Sequence, residues 1–549
     1  MPVKASDESG FTMIMTVIGI TLVMLLAAVA VTAVTGSTQI TGRDLARKQA
    51  YEAALAGINE YSYHLHVKSD YWTECTKAVP SGETSALNQM GSTANRRPVP
   101  GGSGATYALE LIPANEYKEC IPGLESATSS MLEALEPMRG TFQVRATGFS
   151  GKARVSVTAT FKPASFLDYV YFTQLETSDP VTYGIPELKA AAERQCTKTI
   201  YEGRYNTPLK NLSGQMLTES GTTTTEERFA DFCDVISFVG ADNIEGPMHT
   251  NDAFAFCESP TLGRDKNDPV EVSYPKEKGW FQTKELLGGS GCSGSNANVK
   301  GRFEINQPAL IPPATNSELA KIAEEHFRFE GEVAICMEGS TLKVGAGKSC
   351  TATPLYEGAF PTNGVIYDGN KNNECNAEYT PFNVSYESTV VNTCGNINIV
   401  KGEYARPLTI AAANNVLIMS SIKKTTEEGM LGLIATNFIR IYHPVKLTEG
   451  TCNSSSQNLS GSMENPTIEA ALLALQHSII VDNYRCGPRL GMLTVKGALA
   501  QKYRGAVGTT GGTGYLKHYV YDNRFKSSEP PSFIEPVKSD WVIGRETVE

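Results

Sequence analysis

Three places along the chain gather residue types that can move protons or hold a metal. The stretch GPMHTND, residues 246–252, sets His249 two and three residues before Asn251 and Asp252. An imidazole beside a carboxylate is the minimum for general acid–base work and the start of a metal set. The same spacing suits a turn at Gly246 and Pro247, with Thr250, Asn251 and Asp252 capping backbone groups. That structural role is the expectation here. His64 and His66 are two apart in a helical pattern, so they point to different faces and form no metal pair. Asp482, Arg485 and Asp522 are the acids and base available to a polysaccharide hydrolase or lyase, yet no two carboxylates stand at a recognisable spacing. The P-loop, dinucleotide fingerprint, nucleophile elbow and zincin helix are all missing from the sequence. The expectation is a protein without enzymatic activity, with no catalytic, metal or cofactor-binding residue and no cofactor.

The elements that would position these residues follow from composition and pattern. The 549 residues carry a net charge of −11, with lysine and arginine dispersed, so nucleic acid is not an expected partner. Forty-nine glycines and 23 tyrosines favour strands and turns over helices. All twelve cysteines lie between Cys75 and Cys486, and none forms a C-x-x-C pair. Disulfides in an oxidising compartment are the reading. Short intervals suggest Cys75 with Cys120, Cys257 with Cys292, Cys336 with Cys350, Cys375 with Cys394, and Cys452 with Cys486. Cys196 and Cys233 are left without a role.

From Phe11 to Gly42 no residue is charged, and the run is long enough to span a bilayer. A secretory signal has a shorter apolar core and a basic start, whereas here only Lys4 precedes the run. No proline interrupts residues 3 to 79, which implies one continuous helix projecting beyond a membrane. Ala46, Ala50, Ala53 and Gly57 recur at helical spacing, a stripe that lets a neighbouring helix approach closely. Arg43, Arg47 and Lys48 after the span oppose the positive-inside tendency, but the cysteines place the large C-terminal part outside.

Gly10 followed by Phe11, Thr12, Met13, Ile14 and Met15, then the apolar span and QAYEAALAGINE, resembles the N-terminus of type IV pilin-like proteins. The resemblance implies that a prepilin peptidase cuts between Gly10 and Phe11, and that the helix then packs among other pilin subunits. Met15 stands where major pilins carry glutamate. That departure makes the chain similar to accessory minor pilins of the PilX type, not to a repeating subunit.

Beyond the helix, TFQVRATGFSGKARVSVTATFKP alternates about a Gly-Phe-Ser-Gly turn and reads as a β-hairpin able to cover the helix. From Ile236 the texture becomes short apolar runs anchored by Asn, Asp or Gly. Asn415 and Asn437, 22 residues apart, mark the expected rung interval of a parallel β-helix. A β-sandwich is the alternative. Stretches such as GLIATNFIRIYHP and ALAQKYRGAVGT resemble an uncharacterised ectodomain of actinobacterial pilus-associated surface proteins. YLKHYVYDNRF, with Lys517, His518 and Arg524, reads as a cap of the solenoid or a binding surface. Asn211, Asn383, Asn453 and Asn458 begin Asn-x-Ser sequons expected in exposed loops.

The expected fold is therefore a long N-terminal transmembrane and amphipathic α-helix, a small pilin-like α+β region, and an all-β ectodomain read as a disulfide-stapled parallel β-helix. The expected divisions are a leader at 1–10, the helix at 11–67, the α+β region at 68–165, a connector at 166–235, the β-rich ectodomain at 236–541 and a tail at 542–549. The expected function is a non-enzymatic pilus-associated minor pilin for assembly, initiation or tip display. A permanently anchored adhesin and a β-helix polysaccharide enzyme are the alternatives. Expected partners are prepilin peptidase, other pilins and their assembly machinery, membrane lipid, and a surface glycan or protein ligand. The expected location is a single-pass cytoplasmic membrane with an extracellular ectodomain, or the cell surface after assembly.

Overall fold

The structure is a computed structural model that describes residues 9–68, 70–74, 96–101, 104–121, 123–134, 140–202, 207–227, 230–276, 278–282, 297–375, 378–384, 386, 392–448, 450, 452–526, 528–537 and 541–548. The chain divides into two compact units: Met1–Pro163 with Trp541–Glu549, and Ala164–Asp540.

In the first unit, helix α1 runs unbroken over Ser9–Val67, as the long stretch without proline allows. The window Met13–Ala30 has mean hydropathy 2.6 and no buried residue, and is long and apolar enough to cross a membrane. From Ala50 the helix changes character. Ala50, Ala53, Ala54, Ile58, Tyr61 and Leu65 recur at helical spacing and are buried.

They pack on an antiparallel sheet ordered Arg97–Pro98, β1 (Thr106–Ile112), β2 (Phe142–Ser150), β3 (Ala153–Pro163) and the C-terminal strand Trp541–Val548. The hairpin β2–β3 turns on Gly151 at φ +55°, a conformation glycine adopts without steric cost. Its register pairs Phe142 with Phe161, Val144 with Ala159 and Ala146 with Val157, placing six core side chains under the helix. Burying each large side chain of this set contributes about 1.5–3 kcal/mol. Gly148 sits so close to the helix that a Cβ there would lie 1.8 Å from the Ala50 carbonyl oxygen. The small residues of α1 thus serve its own sheet: Gly57 lies against Tyr107, and Ala50 against Gly148. That corrects the expectation that Ala50, Ala53 and Gly57 await a neighbouring helix.

The last residues differ from the expected tail at 542–549. Trp541–Val548 is a strand paired antiparallel with β3, from Trp541 opposite Pro163 to Val548 opposite Val157. Trp541 also packs its ring edge on Phe142 at 4.8 Å, and Ile543 joins it against the core under the helix.

The second unit is built on parallel ladders. One runs Arg328–Glu330, Val365–Gly369, Leu408–Ala412, Leu431–Ala435, Thr467–Ala474, Met492–Arg504, β4 (Tyr171–Ser178), Met248–Thr250, Pro269–Val272 and Arg302–Glu304. A second joins Glu332–Gly339, Asn396–Tyr404, Val416–Ile418, Ile439–Ile441 and Ile479–Val481. A third continues through Ile422–Lys424, Thr467–Ala474, Met492–Arg504, Leu516–Tyr521, Asn243–Glu245, Thr261–Leu262 and Asn298–Val299. Leu408–Ala412 and Leu431–Ala435 are buried at every position, whereas Leu516–Tyr521 alternates and the end strands Arg302–Glu304 and Arg328–Glu330 keep exposed charges.

The spatial order is not the chain order. The chain enters mid-stack at β4 and builds outward through Met248–Thr250 to Arg302–Glu304. It then restarts at the far end with Arg328–Glu330 and returns to the middle. Residues 305–318 make the transfer as a strap across the rungs, and the short helical turns Leu319–Ile322 and Glu325–Phe327 lead on to Arg328–Glu330. Gln307 N–H donates to the Val272 carbonyl, Leu310 N–H to Asn251 Oδ1, Gln476 Nε2 to the Ala314 carbonyl, and Asn316 Nδ2 to the Ala412 carbonyl. The expected connector at 166–235 is therefore corrected: β4 lies between two strands of the main ladder. YLKHYVYDNRF is no cap either, because Leu516–Tyr521 pairs on both sides.

Asparagines do recur at corners, but one position from the expected phase. Ala412 aligns with Ala435, so Asn437 corresponds to Asn414, not Asn415. Asn437 Nδ2 donates to Asn414 Oδ1 at 2.7 Å, and Asn414 Nδ2 to Asn396 Oδ1 at 3.0 Å.

Disulfides join Cys196–Cys233, Cys336–Cys350, Cys375–Cys394 and Cys452–Cys486. Cys120 and Cys257 are also disulfide-bonded, while Cys75 and Cys292 fall outside the described residues. Among the described residues no cysteine is free.

Candidate functional site

The expected processing pair stands at the start of α1. Gly10 and Phe11 lie in its first turn, and residues 1–8 of the expected leader fall outside the described residues. Met15 is exposed with the rest of the apolar window.

His249 is buried between β4 and Pro269–Val272, with both ring nitrogens engaged. Nδ1 meets Glu271 Oε2 at 3.0 Å and Nε2 meets Asn251 Oδ1 at 3.1 Å. Tyr169 donates its hydroxyl to the same Glu271 oxygen at 2.8 Å, and its own ionisation is pushed well up by burial and that carboxylate. Asn251 in turn clamps the strap through both backbone groups of Leu310. Asp252 accepts from the Glu176 and Ile200 backbone N–H groups. This arrangement orders a rung and its strap, with both imidazole nitrogens committed to protein partners.

Asp482, Arg485 and Asp522 are not brought together. Asp522 pairs with Arg524, which lowers its pKa against the opposing effect of burial. Arg485 lies over the Phe382 ring, 5.0 Å from its centroid. Asp482 is fully buried at the end of Ile479–Val481 and accepts four hydrogen bonds. Arg440 donates Nε to Oδ1 at 3.0 Å and Nη2 to Oδ2 at 2.7 Å, while Tyr379 and Tyr386 donate hydroxyls at 2.6 and 2.7 Å. Burial pushes both tyrosines up, and the carboxylate adds to it. Burial opposes the Arg440 charge, but Asp482 outweighs it and holds the guanidinium protonated.

That network forms one wall of a cleft of about 280 Å³ beside the second ladder. Asn398, Leu417 and Arg440 are aligned across three strands along it. Asn396, Asn415 and Glu332 line it as well. Of these residues only Asn415 stands out in the sequence, as a rung marker, because the register that aligns the others joins distant positions, Asn398 with Leu417 and Leu417 with Arg440. The repeat of apolar cores is the only signal pointing to them.

Of the tyrosine-rich C-terminal stretch, Tyr519 and Tyr521 are buried, and Lys517 Nζ donates to the buried Asp242 at 2.8 Å. Asn383 and Asn453 are exposed, whereas Asn211 and Asn458 are half-buried with hydrogen-bonded side chains. Among the described residues no group of three His, Cys, Asp or Glu is placed to hold a metal ion.

No protein-family model matches the chain. No curated protein matches it either. Among solved structures it is similar to the competence-associated pilin ComZ from Thermus thermophilus, at 10% identity, over 92% of this chain and 97% of that one. The TM-score is 0.29, a level from which no shared fold follows.

Proposed function

We propose that this chain is a membrane-inserted, non-enzymatic accessory subunit of a type IV pilin-like assembly, displaying a β-rich ectodomain outside the cell. One observation carries the reading: α1 is a single helix with two surfaces. Its window Met13–Ala30 is apolar and uncovered, while the portion from Ala50 is sunk into the antiparallel sheet of the first unit. Uncovered apolar surface of that length needs lipid or other helices around it. Welding the other half to a folded domain makes the helix a handle by which that domain is anchored and then assembled. Gly10 and Phe11, at the start of the helix, are the pair a prepilin peptidase would cut.

Met15 assigns the chain a minor position, initiating or ending a filament as in PilX-type subunits. A carboxylate buried among apolar helices needs a partner, and Met15 imposes no such demand. The parallel ladders of the second unit are read as faces of one continuous coil, a parallel β-helix, because their rungs succeed one another in the same order in each ladder. Disulfides suit its exposure to an oxidising medium. Asp482 and Asp522 are each committed to an arginine, which favours display over catalysis.

The test is recovery of partners from membranes. A tagged chain should co-purify with pilin subunits of its own cell, and Gly10→Leu should abolish that recovery. Retention in the membrane without any pilin subunit, for both proteins, would favour a permanently anchored adhesin instead.

A further inference from the structure

We propose that the cleft beside the second ladder is a binding site for a neutral saccharide, held by amide and guanidinium donors that have no partner among the described residues. Asn415 is 5% exposed and Asn396 9% exposed, and both line the cleft. Their amide orientations are fixed by backbone donors. Asn415 Oδ1 accepts from the Phe438 N–H at 3.0 Å, and Asn396 Oδ1 from the Asn415 N–H at 3.1 Å. An N–H must meet an oxygen, so each NH₂ is turned the other way. Neither Nδ2 has a partner among the described residues. Arg440 adds a third donor, because Asp482 occupies Nε and Nη2 and leaves Nη1 without one.

These donors stand on three adjacent strands whose pairing fixes their spacing, so little ordering remains to be done on binding. The three donors open into the cleft, where the oxygens of a ligand can take the place of water as their acceptors. The charge around them selects a neutral one. Asp482 is paired with Arg440, and the wall sets Glu332 and Glu378 against Lys348, so an anion gains no net attraction there. Sugar hydroxyl and acetamido oxygens accept from such donors, while hydroxyl protons can be donated to Glu332 and to Asn398 Oδ1. The volume suits one or two sugar rings. This site is independent of how the N-terminal helix is used.

The test is calorimetric titration of the full-length protein in detergent. The neutral probes are lactose, maltose, cellobiose and di-N-acetylchitobiose, with sodium glucuronate as the acidic one. At least one neutral disaccharide should bind with Kd below about 10 mM. Asn415→Asp keeps the oxygen that Phe438 needs and replaces the donor with a charged acceptor, and affinity should fall tenfold or more. In the unaltered protein, the bound sugar should slow hydrogen exchange in residues 396–398, 415–417 and 439–441. Failure of all four disaccharides to bind would overturn the proposal. So would binding that Asn415→Asp leaves unchanged, or a preference for glucuronate.

Discussion

At the scale of single residues, the chain keeps buried carboxylates in two opposite conditions. Asp482 accepts four hydrogen bonds, two of them from Arg440, whereas Asp368 is fully buried and neither of its oxygens has a hydrogen-bond partner among the described residues. Burial raises the Asp368 pKa well above its ordinary value, and Glu330 and Glu332 add to it. Asp234 follows the same logic more mildly: burial first, then Asp231, push it up to about 6. A carboxyl whose folded pKa exceeds its unfolded one favours the folded state while protonated. That advantage is full below the unfolded value and fades as pH rises through the folded one. Asp234 should therefore make stability fall between about pH 4 and pH 6. Asp234→Asn should raise stability at pH 7 by on the order of 2 kcal/mol and flatten that part of the profile. Urea titrations at a series of pH values check it, and an unchanged slope would contradict it. His249 lies inside the strand Met248–Thr250, but the backbone-capping roles of Asn251 and Asp252 were legible in the sequence, because Gly-Pro before Thr-Asn-Asp has a turn chemistry of its own. The neutral Asp368 and the Arg440 network were not, since both depend on strands that meet only through the ladder register.

Elements show why the repeat was legible and its phase was not. Apolar cores at regular intervals announce stacked parallel strands, but Asn414 and Asn415 are adjacent, and either one fits an interval counted to Asn437. The strand register and the Asn437–Asn414 hydrogen bond decide between them. The mid-stack entry of β4 left no mark either, because a strand flanked on both sides looks the same whichever neighbours it has. What secures that junction is a pair of buried ion pairs between distant parts of the chain. Arg504 Nη1 meets Glu176 Oε2 at 2.7 Å, and Lys517 Nζ meets Asp242 Oδ2 at 2.8 Å. The Arg504 guanidinium also lies 3.7 Å from the Phe238 ring centroid. Such pairs add little net stability over an apolar replacement, yet removing one partner strands the other charge in the interior. Arg504→Leu should cost about 3–5 kcal/mol, and the double replacement Arg504→Leu with Glu176→Leu should recover much of that loss. A double-mutant cycle by denaturant unfolding measures it. Simple additivity of the two losses would contradict the ion-pair account of the junction.

For the whole molecule, the consequence of the topology is nesting. The second unit, Ala164–Asp540, is inserted between two neighbouring strands of the first, β3 and Trp541–Val548. The first unit cannot complete its sheet until the last residues of the chain arrive, a closure across nearly the full ectodomain. Removing residues 541–549 should bare the edge of β3 and the Phe142 ring. Limited proteolysis should then cut within 96–163 while 164–540 stays intact, and equal resistance of both units would contradict the nesting. The long helix was legible because absence of proline and absence of charge act over tens of residues. The return of the C-terminus was not, because Trp541 and Ile543 are a short apolar pair whose partner strand lies nearly 400 residues away in the sequence.

The central claim joins these scales: one helix, cut at its start, is first anchor and then assembly element for a large displayed domain. The most direct measurement is the intact mass and N-terminal sequence of the protein taken from cell membranes. The account predicts a chain that begins at Phe11, with or without a methylated amine, and retains the apolar span. A terminus at or beyond Val31, or an uncut one at Met1 or Pro2, would contradict it.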